Sequence, residues 1–231
     1  MKTITKISLF TMTALLSSVT AQAENDNTVR VGAYFVHYDA KATDLTGTGI
    51  GAVPAGVNMK VNNVDTPYFA YVRRLTSNFD LEFAFGIPPK TTMTGTGPAK
   101  LGSVPYAGQV VATSRWFSPT VLLNYNFLEE SSKFRPYVGL GANFTRFTDN
   151  TATPAGQAAL GGPTSASLKN SLGWAATTGI SYRLQERWSV YASYSISQVK
   201  SDLIANTSGV IRTNSVDFRP SAVVLSAGYS F

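Results

Sequence analysis

Residues 79–87 read Phe-Asp-Leu-Glu-Phe-Ala-Phe-Gly-Ile. Phe79, Leu81, Phe83, Phe85 and Ile87 fall on one face of an extended chain, and Asp80, Glu82, Ala84 and Gly86 on the other. A period of two over nine residues is a strand signal that no helix reproduces. In a soluble sheet the five large apolar residues would face a core. In a barrel standing in lipid the pattern inverts, with apolar side chains outward and polar ones in the lumen.

The same alternation recurs and predicts eight strands. They run at about Val29–Asp39, Asp65–Leu75, Phe79–Pro88, Ser114–Phe127, Phe134–Thr148, Leu168–Leu184, Trp188–Ser201 and Arg219–Phe231. The connections alternate in length. Thr-Ser-Asn, Leu-Glu-Glu-Ser-Ser-Lys and Gln-Glu-Arg are short, whereas 40–64, 89–113, 149–167 and 202–218 are long and rich in Gly, Pro, Thr and Asn. Short turns at one rim and long loops at the other match the periplasmic and extracellular ends of an outer-membrane barrel. In lipid no sheet edge can stay open, so the last strand is expected to pair with the first. The expected fold is all-β: an eight-stranded antiparallel transmembrane β-barrel.

Composition agrees. Charged residues make up 14% of the chain and aromatics 12%, against about 25% charged in ordinary soluble domains. Residues 1–23 carry Lys2 and Lys6, an apolar run and Ala21-Gln22-Ala23. This is the pattern of a signal peptide, too short and too rich in Ser and Thr to span as a helix. Cleavage would leave residues 24–231 as the barrel domain, 231 − 23 = 208 residues, and lower the formal charge from +6 to +4. That mild excess suits anionic lipid headgroups and gives no case for nucleic acid. Without cysteine there is neither a disulfide framework nor a thiolate metal site.

Phe79, Phe127, Phe134, Tyr182, Trp188, Tyr229 and Phe231 gather near the short-turn rim, as an interfacial girdle does. Ser-Ser-Lys-Phe-Arg-Pro-Tyr-Val-Gly-Leu-Gly-Ala-Asn-Phe-Thr-Arg-Phe-Thr-Asp-Asn (131–150), a later Ser-Leu-Lys-Asn-Ser-Leu-Gly-Trp-Ala-Ala-Thr-Thr-Gly-Ile-Ser-Tyr and the ending Ser-Ala-Gly-Tyr-Ser-Phe resemble the OmpW family of small outer-membrane proteins. The resemblance implies a barrel with a narrow, largely hydrophobic channel. It also implies passive uptake of small hydrophobic molecules, alkanes among them, entering at the extracellular loops and leaving laterally through the wall. The ending resembles the outer-membrane signal read by barrel assembly machinery, through Leu225, Tyr229 and Phe231. The partners implied are outer-membrane lipid and lipopolysaccharide, small hydrophobic solutes and that machinery. The location implied is the outer membrane of a Gram-negative bacterium.

An eight-stranded interior is about filled by its own side chains, so the candidates are few. Tyr34, Val36, Tyr68, Val72, Trp116 and Leu122 supply an apolar lining, and Gly139 and Gly141 are expected to leave room; the same residues could simply pack the interior. Arg30, Arg74, Asp80, Glu82, Arg135 and Arg183 form a candidate lumen charge plug, or a stabilising cluster alone. Pro67, Pro119 and Pro136 each remove a ladder hydrogen bond and are candidates for a lateral opening, or mark strand ends and bulges. His37, the one histidine, is expected to face lipid or the outer interface, so no catalytic residue is proposed and no enzyme activity is expected. No cofactor and no metal site is implied. The alternative function is a non-transporting surface barrel serving adhesion, envelope stability or as a phage or colicin receptor.

Overall fold

The computed structural model describes residues 26–231; the expected signal segment lies outside the described residues. Eight long strands form the staves: β1 (Asn27–Tyr38), β2 (Val64–Arg74), β3 (Phe79–Gly86), β4 (Thr120–Asn126), β5 (Phe134–Ala152), β6 (Ser171–Arg183), β7 (Trp188–Ser197) and β8 (Pro220–Ser230). Each pairs antiparallel with its neighbours in sequence, and β8 pairs with β1 to close the ring. Closure is complete to the last residue. Phe231 N–H donates to Asn27 O at 2.8 Å, and Asn27 N–H to Phe231 O at 3.1 Å.

Facing follows the alternation. Phe79, Leu81 and Phe83 are exposed on the outside of β3, while Glu82 and Ala84 are buried inside. On β4, Leu122 is buried between the exposed Val121 and Leu123. Phe79, Tyr125 and Phe127 make edge contacts at the short-turn rim, as do Trp188 and Tyr229. Leu225 and Phe231 also point outward. A lipid-facing aromatic band thus needs no core of its own.

The long connections are more ordered than expected. Val110–Phe117 pairs with the upper half of β5 and with Lys90–Thr96, which pairs with Asn58–Val61. Thr164–Leu168 pairs with Lys200–Thr207, which forms a hairpin with Val210–Asp217. Leu45 N–H to Val57 O and Asn58 Nδ2 to Ala42 O, both at 2.8 Å, stitch the two ends of this upper wall. Segments such as Thr94-Gly95-Thr96, expected to be loop, are therefore strand. A short helix α1 (Pro154–Leu160) stands in the third loop, with the Thr153 hydroxyl accepting from Gly156 N–H, Pro154 in its first turn and Gly161 left-handed at φ 92° at its end.

Expected strands four, six and seven are each broken where they leave the staves, whereas expected strand eight runs unbroken as β8, after the irregular Phe218-Arg219. The breaks fall at Ser118-Pro119, Lys169-Asn170 and Gln198-Val199. Proline lacks the N–H at the first, and Arg219 has a left-handed backbone (φ 42°) just before Pro220.

Candidate functional site

Along the axis, among the described residues, three voids are stacked. Toward the loops lies an apolar chamber lined by Tyr34, Val36, Tyr38, Met93, Trp116 and Phe218 among others, with a free volume of about 30 Å³. Its walls belong to the largest buried hydrophobic cluster, which also holds Val61, Phe147, Val199 and Val216. The middle void, about 40 Å³, is lined by Tyr34, Tyr68, Glu82, Leu122 and a row of hydroxyls, Ser193, Ser195 and Ser197. The third opens at the short-turn rim, holds about 160 Å³ and is polar, with Arg30, Asp80, Arg135 and Arg183 in its wall. A water takes about 30 Å³ of liquid. The upper two spaces are each about one water in size, and a solute must push side chains aside to pass.

Between the middle and the polar void stands a buried ion pair. Arg30 Nη1 donates to Glu82 Oε2 at 3.1 Å, both side chains 6% exposed. Tyr68 donates its hydroxyl to Glu82 Oε1 at 2.7 Å and Asn124 Nδ2 donates to Oε2 at 2.8 Å. The Arg30 guanidinium lies over the rings of Tyr191 (3.8 Å) and Tyr137 (5.8 Å). Buried charge is tolerated only when paired and hydrogen-bonded in this way.

The six expected charges therefore do not form one cluster. Arg30 and Glu82 make the buried pair, and Asp80 instead accepts from Asn126 Nδ2 at 2.7 Å. Arg74 pairs with Glu130 and, at 3.9 Å, with Asp26. Arg183 donates to the Glu130 carbonyl and Arg135 to Ser77 O at 2.7 Å. These four sit around the polar mouth. Glu130, Asn124, Tyr137 and Tyr191 escaped sequence reasoning. Asn124, Tyr137 and Tyr191 were legible as inward positions on their strands, while Glu130 lies in a turn where alternation gives no facing.

Of the expected lining, Tyr34, Val36 and Trp116 reach the chamber, Tyr34, Tyr68 and Leu122 the middle void, and Val72 the polar mouth instead. Gly139 and Gly141 leave no room, which corrects the expectation. The place of a Cβ on Gly141 is taken by the Val121 carbonyl, and on Gly139 by the Asn124 carboxamide. These glycines let strands and side chains approach closely.

The prolines fall in two groups. Pro136 sits within the continuous β5–β6 ladder opposite Ile180, near the short-turn rim. Pro67 and Pro119 flank a real interruption. The β3–β4 ladder ends at Ala84–Thr120 and resumes only at Lys90–Arg115, with Pro88, Pro89 and Pro119 in between. Across it, Arg115 Nη1 donates to Pro88 O at 3.1 Å and Trp116 Nε1 to Thr91 Oγ1 at 2.9 Å. On the other side of β3 the last ladder contact is Ile87 N–H to Pro67 O at 3.2 Å. The middle void touches Phe85, Gly86, Ser118 and Thr120 at this interruption. Outside, Phe85 packs against Phe69, Phe83 and Phe117. A second interruption, between β6 and β7, is bridged by Gln198 N–H to Trp174 O, Lys200 N–H to Ser171 Oγ and Ser201 Oγ to Lys169 O. His37 is exposed and shares a 2.8 Å hydrogen bond with Asn63.

The OmpW family model matches residues 23–231. Outer membrane protein W of Escherichia coli (strain K12) is 29% identical over 231 residues, 100% of each chain. The dibenzothiophene metabolism operon protein PahQ of Pseudomonas aeruginosa is 35% identical over 141 residues, 58% of this chain and 59% of its own. In fold, the crystal structure of the outer membrane protein OprG from Pseudomonas aeruginosa superposes with a TM-score of 0.79 at 22% identity, covering 90% of this chain and 96% of that one.

Proposed function

This chain belongs to the OmpW family of outer-membrane barrels of Gram-negative bacteria, and from that premise we propose that it passes small apolar molecules inward through the outer membrane. The solute enters among the loops, occupies the chamber of Val36, Tyr38, Met93, Trp116 and Phe218, and leaves sideways between β3 and β4. The observation that carries this reading is the coincidence of a mainly apolar chamber, a proline-bounded interruption of the wall and a buried ion pair below. An apolar solute can follow the first two but cannot displace Arg30 and Glu82 without leaving both charges unpaired. Phe85 stands at the interruption and acts as a side-chain plug. A relative whose name ties it to dibenzothiophene metabolism suits this class of solute. Movement is down the concentration gradient, and the lipid and lipopolysaccharide around the wall are the surroundings the solute crosses.

The test is uptake of naphthalene by intact cells that make or lack the folded protein, with heat-modifiable migration on a gel as the folding control. Uptake should rise with the protein, fall with Trp116→Lys and rise further with Phe85→Ala. Unchanged uptake across several apolar solutes, with the barrel folded and abundant, would transfer the role to a surface receptor or adhesion barrel.

A further inference from the structure

We propose that the Arg30–Glu82 pair is the gate of a second, aqueous path that conducts small ions along the barrel axis and joins the apolar route at the middle void. Four observations converge on it. The space at the short-turn rim is polar and, at about 160 Å³, has the volume of about five waters. Three buried atoms around the pair, Arg30 Nε, Asp80 Oδ1 and Asn124 Oδ1, have no partner in the protein; buried polar atoms of this kind are met by ordered water. Beyond the pair, the middle void is edged by Ser193, Ser195 and Ser197 of β7 and by Thr120 of β4. It shares Tyr34, Ser118, Ser197 and Pro220 with the chamber above. Hydroxyls therefore run up one side of the lumen, and the only charged residues set across the way from the polar void into the middle one, among the described residues, are Arg30 and Glu82.

The pair suits a gate because its two halves are held independently. Glu82 keeps two hydrogen bonds from Tyr68 and Asn124 when Arg30 leaves. Arg30 keeps the Tyr191 ring beneath it when Glu82 leaves. Each partner removed alone leaves one fixed charge in the constriction, and fixed charge in a narrow path sets which ion enters.

The experiment measures currents in planar lipid bilayers under a salt gradient, using the full barrel and variants whose folding is checked by heat-modifiable migration. Glu82→Gln should raise the ion current about tenfold or more, a barrier drop of about 1.4 kcal/mol, and favour anions. Arg30→Met should raise it similarly and favour cations, so that the two reversal potentials have opposite signs. A merely stabilising pair would yield equal selectivity in both variants or no change in current, and either result overturns the gate. Because the chain has no cysteine, a second measurement works with the pair intact. Ser189→Cys, in the polar void, should react with a water-soluble methanethiosulfonate at least about tenfold faster than Ser193→Cys, above the pair. Equal reactivity would overturn the gate even if neither charge variant inserts.

Discussion

The Arg30 guanidinium lies 3.8 Å from the centre of the Tyr191 ring while its Nη1 donates to Glu82. One cation thus binds a carboxylate on β3 and an aromatic face on β7, tying opposite parts of the ring together across the lumen. Removing the carboxylate alone, as in Glu82→Ala, is expected to cost about 3–5 kcal/mol in chemical unfolding, because a buried charge is left behind. Replacing both partners by Met should cost less than the sum of the single variants. Tyr191→Leu should lose about 2 kcal/mol or somewhat more, and Tyr191→Phe far less, since the ring face supplies the attraction.

Gly141 and Gly139 separate two ways a missing side chain can matter. At Gly141 the added carbon meets the Val121 carbonyl, which belongs to the paired strand and cannot step aside. Gly141→Ala should therefore lose most of the heat-modifiable folded form. At Gly139 it meets the end of the Asn124 side chain, which can rotate but then gives up its bond to Glu82. Gly139→Ala should fold and unfold earlier, by about 1–3 kcal/mol for a buried acceptor losing a donor. Equal behaviour of the two variants on the gel would refute this difference.

The staves were legible because a strand writes its facing locally: Phe79 to Ile87 needs only the neighbours in sequence. The upper wall was not, because its partners are remote and its residues small. Thr164 finds Thr207 and Ala112 finds Ala152 across loops whose Thr, Gly and Ala carry little alternating contrast. The apolar chamber was half visible for the same reason: Trp116 and Val36 lie in expected strands, whereas Met93 and Phe218 lie in expected loops. Glycine was read as empty space, but whether its gap is empty depends on how closely the next strand runs, which no single segment records.

The hairpin between Lys200–Thr207 and Val210–Asp217 turns on Ser208 (φ 50°) and Gly209 (φ 92°). Two left-handed residues in succession make the tight turn that matches strand twist. Gly209→Val should strain this turn by about 1–2 kcal/mol and expose the hairpin to proteolysis from the loop side, while Ser208→Gly should leave it as resistant as before. Digestion of intact cells followed by fragment mapping reads both, and equal resistance of the Val variant would show that the strand pairs alone hold the hairpin.

Asp202 lies in the same hairpin, outside the membrane-spanning staves. A hydrogen bond from Ser215 (2.8 Å), then the Lys169 ammonium at 3.0 Å, hold its carboxyl below the ordinary value. A depressed carboxylate stabilises the fold above its unfolded value, near pH 3.9. That contribution fades as the pH falls through the lower folded value. Lys169 also reaches across the β6–β7 interruption, with its N–H donating to Asp202 O at 3.2 Å. Acidification below about pH 4 should therefore loosen this edge of the loop wall first. Amide exchange in the segment 200–207 should quicken there before exchange in the staves. Ser215→Ala should move the onset to higher pH, since the largest cause of the depression is gone. If the two exchange rates rise together, the hydrogen bonds to Asp202 do not hold the wall and the backbone pairing does.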